Sequence, residues 1–321
     1  MNYKKRNTAL AVFLTALMLN FSGCGTSVNG EEKESAIGQE VLVDFNKIDI
    51  PQTKSESVSE IKNDTNSEIE EEEKEETESF EPEEKQEISL EGQPEYRQEL
   101  IKNKDNTIQK NVKVTTGSPV DISWFDDCVF LGDSFTNGLG LYNDSFGELG
   151  NAQFVCAACI GWVSSQYGMY DPNEFHPLYN GQKVFMYDAP ALTGANKVVI
   201  TLGMNDVGCF GIDGTLEAAD SFIAKIRELT PNVKIYITTV TPMVAAAEYD
   251  LLNNPLIKEY NERLPEFARQ HNCGFLDTWS VFANADGKLP EELCIDPDGL
   301  GFHLNDKGNH MLCDFYKANL G

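Results

Sequence analysis

The sequence predicts an α/β protein, a three-layer α/β/α sandwich on a parallel sheet, preceded by a disordered acidic tether. Three observations carry that expectation. From about Pro119 onward, short apolar runs alternate with amphipathic stretches of helical period. The runs and stretches follow one another singly, as parallel strands joined by right-handed helical crossovers require. The patterned part spans roughly 200 residues, enough for one hydrophobic core.

The first strand is Cys128–Leu131, and it ends in Gly132-Asp133-Ser134 ahead of an amphipathic segment. That order reads as a buried strand, a tight turn at the glycine and a helix starting at the serine. A helix start offers backbone N–H groups without acceptors inside the helix, a good place for developing negative charge. The apolar run Gln153–Ala158 is the second strand, and Lys197–Leu202, Lys234–Val240 and Gly274–Leu276 are the rest of the sheet. Thr215–Leu229 places Leu216, Ala219, Phe222, Ile223, Ile226 and Leu229 on one helical face, and Thr230-Pro231 stops it. Pro255–Gln270 is a second helix, with Pro265 expected to bend it. A last helix runs from Asn305 or Asp306 to about Ala318. The insertion from His176 to Asn196 breaks the alternation; within it, 182–187 reads as a short edge strand and Asp188 as the cap of a helical turn.

The N-terminal third is of another kind. Lys4, Lys5 and Arg6 precede an apolar stretch, Thr8–Leu19, too short to span a membrane comfortably, and Phe21-Ser22-Gly23-Cys24 follows. This resembles a bacterial lipoprotein signal, with Phe21 where Leu is usual, so residues 1–24 are expected to be a signal peptide and Cys24 the lipidated residue. A lipidated Cys24 holds the protein on the outer face of a membrane with no spanning helix. Residues 25–117 are rich in Glu, Lys, Ser and Asn, with Glu70–Glu73 at the centre, and are expected to be a disordered linker. Tyr96–Ile101 has the composition of transient local structure at most. The domain itself is expected over 118–321. The formal net charge is −27, of which roughly −15 lies between Glu31 and Lys110. That balance argues against nucleic acid or anionic lipid as a partner, since both need cationic side chains to displace counterions.

The eight cysteines include Cys156-Ala157-Ala158-Cys159, which has redox-motif spacing without the surroundings of such a site. No histidine stands at metal-ligand spacing from the pair, and structural burial is the expectation. A redox function would instead require an exposed thiol of low pKa.

Two further blocks complete a pattern. The third strand of the sheet ends in Gly203-Met204-Asn205-Asp206, and the C-terminal part carries Asp298-Gly299-Leu300-Gly301-Phe302-His303-Leu304-Asn305. Together Gly-Asp-Ser, Gly-x-Asn-Asp and a late His-Leu-Asn resemble the SGNH (GDSL-type) hydrolase family over the whole of about 120–321. The resemblance implies a flavodoxin-like sheet, no metal and no organic cofactor. It implies Ser134 as nucleophile and His303 as its base, imidazole being the side chain whose ordinary pKa, about 6.5, suits proton exchange at neutral pH. It implies an oxyanion hole made by the Ser134 N–H, the Asn205 side chain and a glycine N–H after the second strand, for which Gly161 is the choice. His176, His271 and His310 match no block.

The third triad member departs from the family pattern, in which an aspartate stands three residues before the histidine; here that residue is Leu300. Asp298 is the nearest candidate and Asp296 the second, and a Ser–His dyad oriented by a backbone carbonyl is the remaining option. Asp133 and Asp206 are expected to give supporting hydrogen bonds. Trp162, Tyr167, Tyr170 and Phe210 either line a cleft or cover the sheet.

The expected function is therefore an extracytoplasmic, lipid-anchored serine esterase that takes short acyl esters, acetyl above all, on cell-wall or other polysaccharide. A lipase or lysophospholipase lies within the same class. A surface domain that binds glycan or an envelope partner without catalysis is the alternative of another kind.

Overall fold

Residues 88–104 and 114–321 are described by the computed structural model; the expected signal segment with Cys24 and most of the expected tether lie outside them. In chain order come α1 (Glu95–Asn103), β1 (Cys128–Gly132), α2 (Ser134–Phe146) and β2 (Gln153–Cys156). The insertion follows with β3 (Leu178–Tyr179), β4 (Gln182–Lys183) and α3 (Ala189–Thr193). Then come β5 (Lys197–Thr201), α4 (Val207–Leu229), β6 (Lys234–Thr238), α5 (Asn254–Gln270), β7 (Gly274–Leu276), α6 (Trp279–Phe282) and α7 (Asp306–Asn319).

The main sheet has five strands in the order β2-β1-β5-β6-β7, and every pairing in it is parallel. Successive side chains of a strand point to opposite faces, so each strand feeds two cores. Val129, Leu131, Val198, Ile200, Ile235 and Ile237 pack with Phe222 and Ile226 of α4 and Ile257 and Leu264 of α5. Cys128, Phe130, Val199 and Tyr236 pack with Leu139 and Tyr142 of α2 and Leu312 and Tyr316 of α7. Helices therefore cover both faces, as the alternation predicts, and the strands are apolar on both sides. The chain moves outward from β1 to β2, then returns to the other side of β1 for β5. That reversal creates a switch point at the C-terminal ends of β1 and β5, the place where open α/β sheets bind ligands.

The structure corrects several expectations. The edge strand expected over 182–187 is only Gln182–Lys183, and it belongs not to the sheet edge but to a separate antiparallel pair, with Leu178 opposite Lys183 and Tyr179 opposite Gln182. Helix α4 begins at Val207, eight residues before its amphipathic face starts, and changes direction at Gly211, whose φ of 72° is non-helical. Asp188 makes no cap bond; its carboxylate is fully buried as the partner of Arg97 and Tyr96.

That last contact overturns part of the expected linker. Helix α1 lies within 25–117 yet docks on the domain through a buried polar cluster. The Arg97 guanidinium pairs with Asp188 and with Glu228 of α4 (2.8 Å), while stacking 5.0 Å from the centre of the Tyr187 ring. The Tyr96 hydroxyl donates to Asp188 (3.0 Å) and accepts from the Phe185 N–H (2.8 Å). Burying a guanidinium at 2% exposure is costly unless it is paired, and here Asp188 and Glu228 pair it. The folded unit thus starts upstream of residue 118.

Candidate active site

At the switch point the turn after β1 carries Asp133 and Ser134. Gly132 permits the turn because a methyl group there would overlap the Thr136 hydroxyl and crowd the Thr201 carbonyl. The cap of α2 is Asp133, not the serine: its Oδ1 accepts the Phe135 N–H at 2.9 Å. The Ser134 hydroxyl is thereby left for other work, and Ser134 Oγ lies 2.8 Å from His303 Nε2. As the first residue of α2, Ser134 also has an N–H without an acceptor in the helix.

On the far side of the imidazole stands Asp296. His303 Nδ1 is 2.7 Å from Asp296 Oδ2, and the His303 backbone N–H reaches Asp296 Oδ1 at 3.3 Å. Asp298 is exposed and makes neither contact, which corrects the choice between the two. The reason is a hairpin. Cys294 pairs antiparallel with Leu304, and the Ile295 N–H donates to the His303 carbonyl, so the chain runs out and returns beside itself. Pro297-Asp298 forms the tip of a turn closed by the Gly299 N–H on the Asp296 carbonyl (2.8 Å). Asp296 stands at the foot of that turn, opposite the histidine, and Asp298 at its outer corner. Burial alone raises the Asp296 pKa, but the bonds from His303 and the Cys294 thiol outweigh it and hold the carboxyl below its ordinary value.

Asn205 follows β5. Its Nδ2 donates to Asp133 Oδ2 and to the Ile160 carbonyl, each at 3.0 Å, while its buried Oδ1 has no hydrogen-bond partner. The loop it touches contains Gly161, whose N–H donates to Ser164 Oγ at 2.9 Å. Asp206 is buried beside that loop and accepts the N–H groups of Trp162 (2.9 Å) and Val163 (3.1 Å). Burial pushes both Asp133 and Asp206 up to about 6, against the pull of the N–H groups they accept.

The remaining residues singled out in the sequence fall away from this cluster or behind it. Trp162 is fully buried, edge-on to Phe222 at 5.2 Å, with its indole N–H on the Tyr260 hydroxyl; it is core. Tyr170 and Phe210 are exposed, and Tyr167 is half-buried. Cys156 and Cys159 are free thiols that burial pushes up to about 12, unlike the reactive thiol a redox site requires. His176 bonds the Tyr167 carbonyl, and His310 meets Glu148. Glu148, His310 and Asp314 form the one group with metal-ligand geometry among the described residues, and Lys317 already sits on both carboxylates.

A serine hydroxyl, an imidazole and a carboxylate in series form the arrangement that activates an oxygen nucleophile: the base takes the proton and the carboxylate holds the base. Among similar solved structures are a GDSL-like lipase from Bacteroides thetaiotaomicron and an acetyl xylan esterase. The first shares 18% identity at a TM-score of 0.44, over 62% of this chain and 89% of that one. The second shares 19% identity at a TM-score of 0.42, over 59% of this chain and 96% of that one. No curated protein matches the sequence. Residues 130–311, more than half of the chain, match the model of the GDSL-like lipase/acylhydrolase family. The chain belongs to that family and is an ester hydrolase.

Proposed function

We propose that this hydrolase removes short acyl groups, acetyl above all, from polysaccharide at the outer face of the cell membrane, to which Cys24 tethers it. The chemistry rests on one observation: Ser134 Oγ, His303 and Asp296 are in line at 2.8 and 2.7 Å. His303 Nε2 takes the Ser134 proton as Oγ attacks the ester carbonyl, and Asp296 holds the Nδ1–H and balances the imidazolium charge. The tetrahedral oxyanion is met by the Ser134 N–H, and by Asn205 and Gly161 as they exchange a present acceptor for the new charge. Collapse expels the alcohol, which receives the proton from His303. A water molecule deprotonated by the same imidazole then attacks the acyl-serine, and the imidazolium returns that proton to Ser134 Oγ as its bond to the acyl carbon breaks and the carboxylic acid leaves.

The turn of Ser134 backs onto a cavity of about 10 Å³ lined by Phe135, Leu202, Met204, Val240 and Phe302 among others, room for one water or methyl group. The surface location is supported by the lipoprotein-like run Phe21-Ser22-Gly23-Cys24. Acetate release from acetylated cell-wall glycan by the full chain, compared with release from long-chain lipid esters, tests the substrate. Preference for the lipid ester contradicts the reading.

A further inference from the structure

The geometry points to Asp206 as a positioning residue of the oxyanion site: its buried carboxylate fixes the loop 160–163 so that Gly161 and Asn205 face the carbonyl attacked by Ser134. This rests on the acyl-transfer reading given above. Two consecutive residues, Asn205 and Asp206, grip that loop on either side of Gly161. Asn205 Nδ2 holds the Ile160 carbonyl, and Asp206 accepts from the next two backbone N–H groups after Gly161, those of Trp162 and Val163. Gly161 itself lies flat against the carboxylate, since a Cβ built on it would overlap both Asp206 oxygens. The loop begins in strain, with Cys159 in the left-handed region at a φ of 64°, a conformation that a non-glycine residue keeps only when its surroundings impose it.

Asp206 is suited to this task by where it stands. At 1% exposure it is shielded from bulk solvent, and it sits at the start of α4, where the Cys209 and Phe210 N–H groups bond its own carbonyl. The loop is thus clamped to the rigid end of a strand–helix junction, the same junction that presents Asn205. Loss of the clamp displaces Gly161 and frees the Ile160 carbonyl together. A misplacement of about 1 Å in catalytic geometry costs about 10²-fold in rate.

The test is a set of four forms of the full chain on p-nitrophenyl acetate: wild type, Asp206→Asn, Asn205→Ala and the double variant. An asparagine keeps the shape but offers one acceptor in place of two oxygens. The inference predicts that Asp206→Asn lowers kcat about 30- to 100-fold with KM within twofold. In the Asn205→Ala background, where the oxyanion site is already broken, the same change costs less than threefold. Full kcat in Asp206→Asn, an equal loss in both backgrounds, or a loss confined to KM overturns it. If Asp206→Asn does not fold, amide exchange of Trp162 and Val163 in the wild type decides: protection like that of the sheet supports the clamp, and free exchange overturns it. Wild-type turnover that does not depend on Ser134 instead refutes the acyl-transfer reading, so the two failures are told apart.

Discussion

His303 Nδ1 and Asp296 Oδ2 stand 2.7 Å apart across a hairpin whose tip is occupied by Asp298. The carboxylate that orients the imidazole is therefore seven residues before it. Asp296→Asn should lower kcat by about 10⁴-fold, because the amide stabilises the wrong imidazole tautomer and carries no charge to balance the imidazolium. Asp298→Asn, at the exposed corner, should leave kcat unchanged. Steady-state kinetics of the two variants on p-nitrophenyl acetate check this, and the reverse order of effects refutes it.

Asn205 links Asp133 to the Ile160 carbonyl and is the side-chain donor of the proposed oxyanion site. Asn205→Ala should cost about 10²- to 10³-fold in kcat while KM changes little, since the lost interaction is made in the transition state. A loss carried by KM alone points to substrate binding instead.

Arg97 ties α1 to the domain. Its replacement by alanine leaves Asp188 buried without a cationic partner, which typically costs about 3–5 kcal/mol. For a domain of this size the melting temperature should fall by roughly 10 °C. Calorimetry of Arg97→Ala checks it, and an unchanged melting temperature means that α1 is not part of the folded unit.

Glu148 carries a pH signature. Burial pushes its pKa up, but bonds from Tyr142, His310 and Lys317 outweigh burial and bring it from an ordinary 4.5 to about 2. A depressed carboxyl pKa stabilises the fold above the unfolded value and loses that contribution as pH falls through the folded one. Glu148→Gln should thus lower stability by about 2 kcal/mol at pH 7, with the difference vanishing as the pH approaches 2. Urea titrations of both forms across that range measure it.

Much of this site is legible in the sequence because its parts are local. Gly132-Asp133-Ser134 and Gly203-Met204-Asn205 each sit where an apolar strand gives way to a helix, so a reader of periodicity places them on one sheet edge. The orienting acid is harder, because it depends on chain reversal and not on spacing. A signal was present: Pro297-Asp298-Gly299 is turn chemistry, which puts Asp298 at a tip and Asp296 at the foot. The docking of α1 rests on Arg97 meeting Asp188 and Glu228, contacts between residues far apart in the chain that no local pattern encodes. The Tyr96-Arg97 pair in a stretch poor in aromatics was its only trace.

The central claim is that Ser134 is an acyl-accepting nucleophile, and mass spectrometry of the full chain after reaction with a fluorophosphonate tests it most directly. The account predicts a single adduct on Ser134, absent in Ser134→Ala and in His303→Ala, with hydrolysis of p-nitrophenyl acetate lost in parallel by at least about 10³-fold. An unmodified Ser134 in a chain that still hydrolyses the ester, or equal hydrolysis by Ser134→Ala, contradicts it.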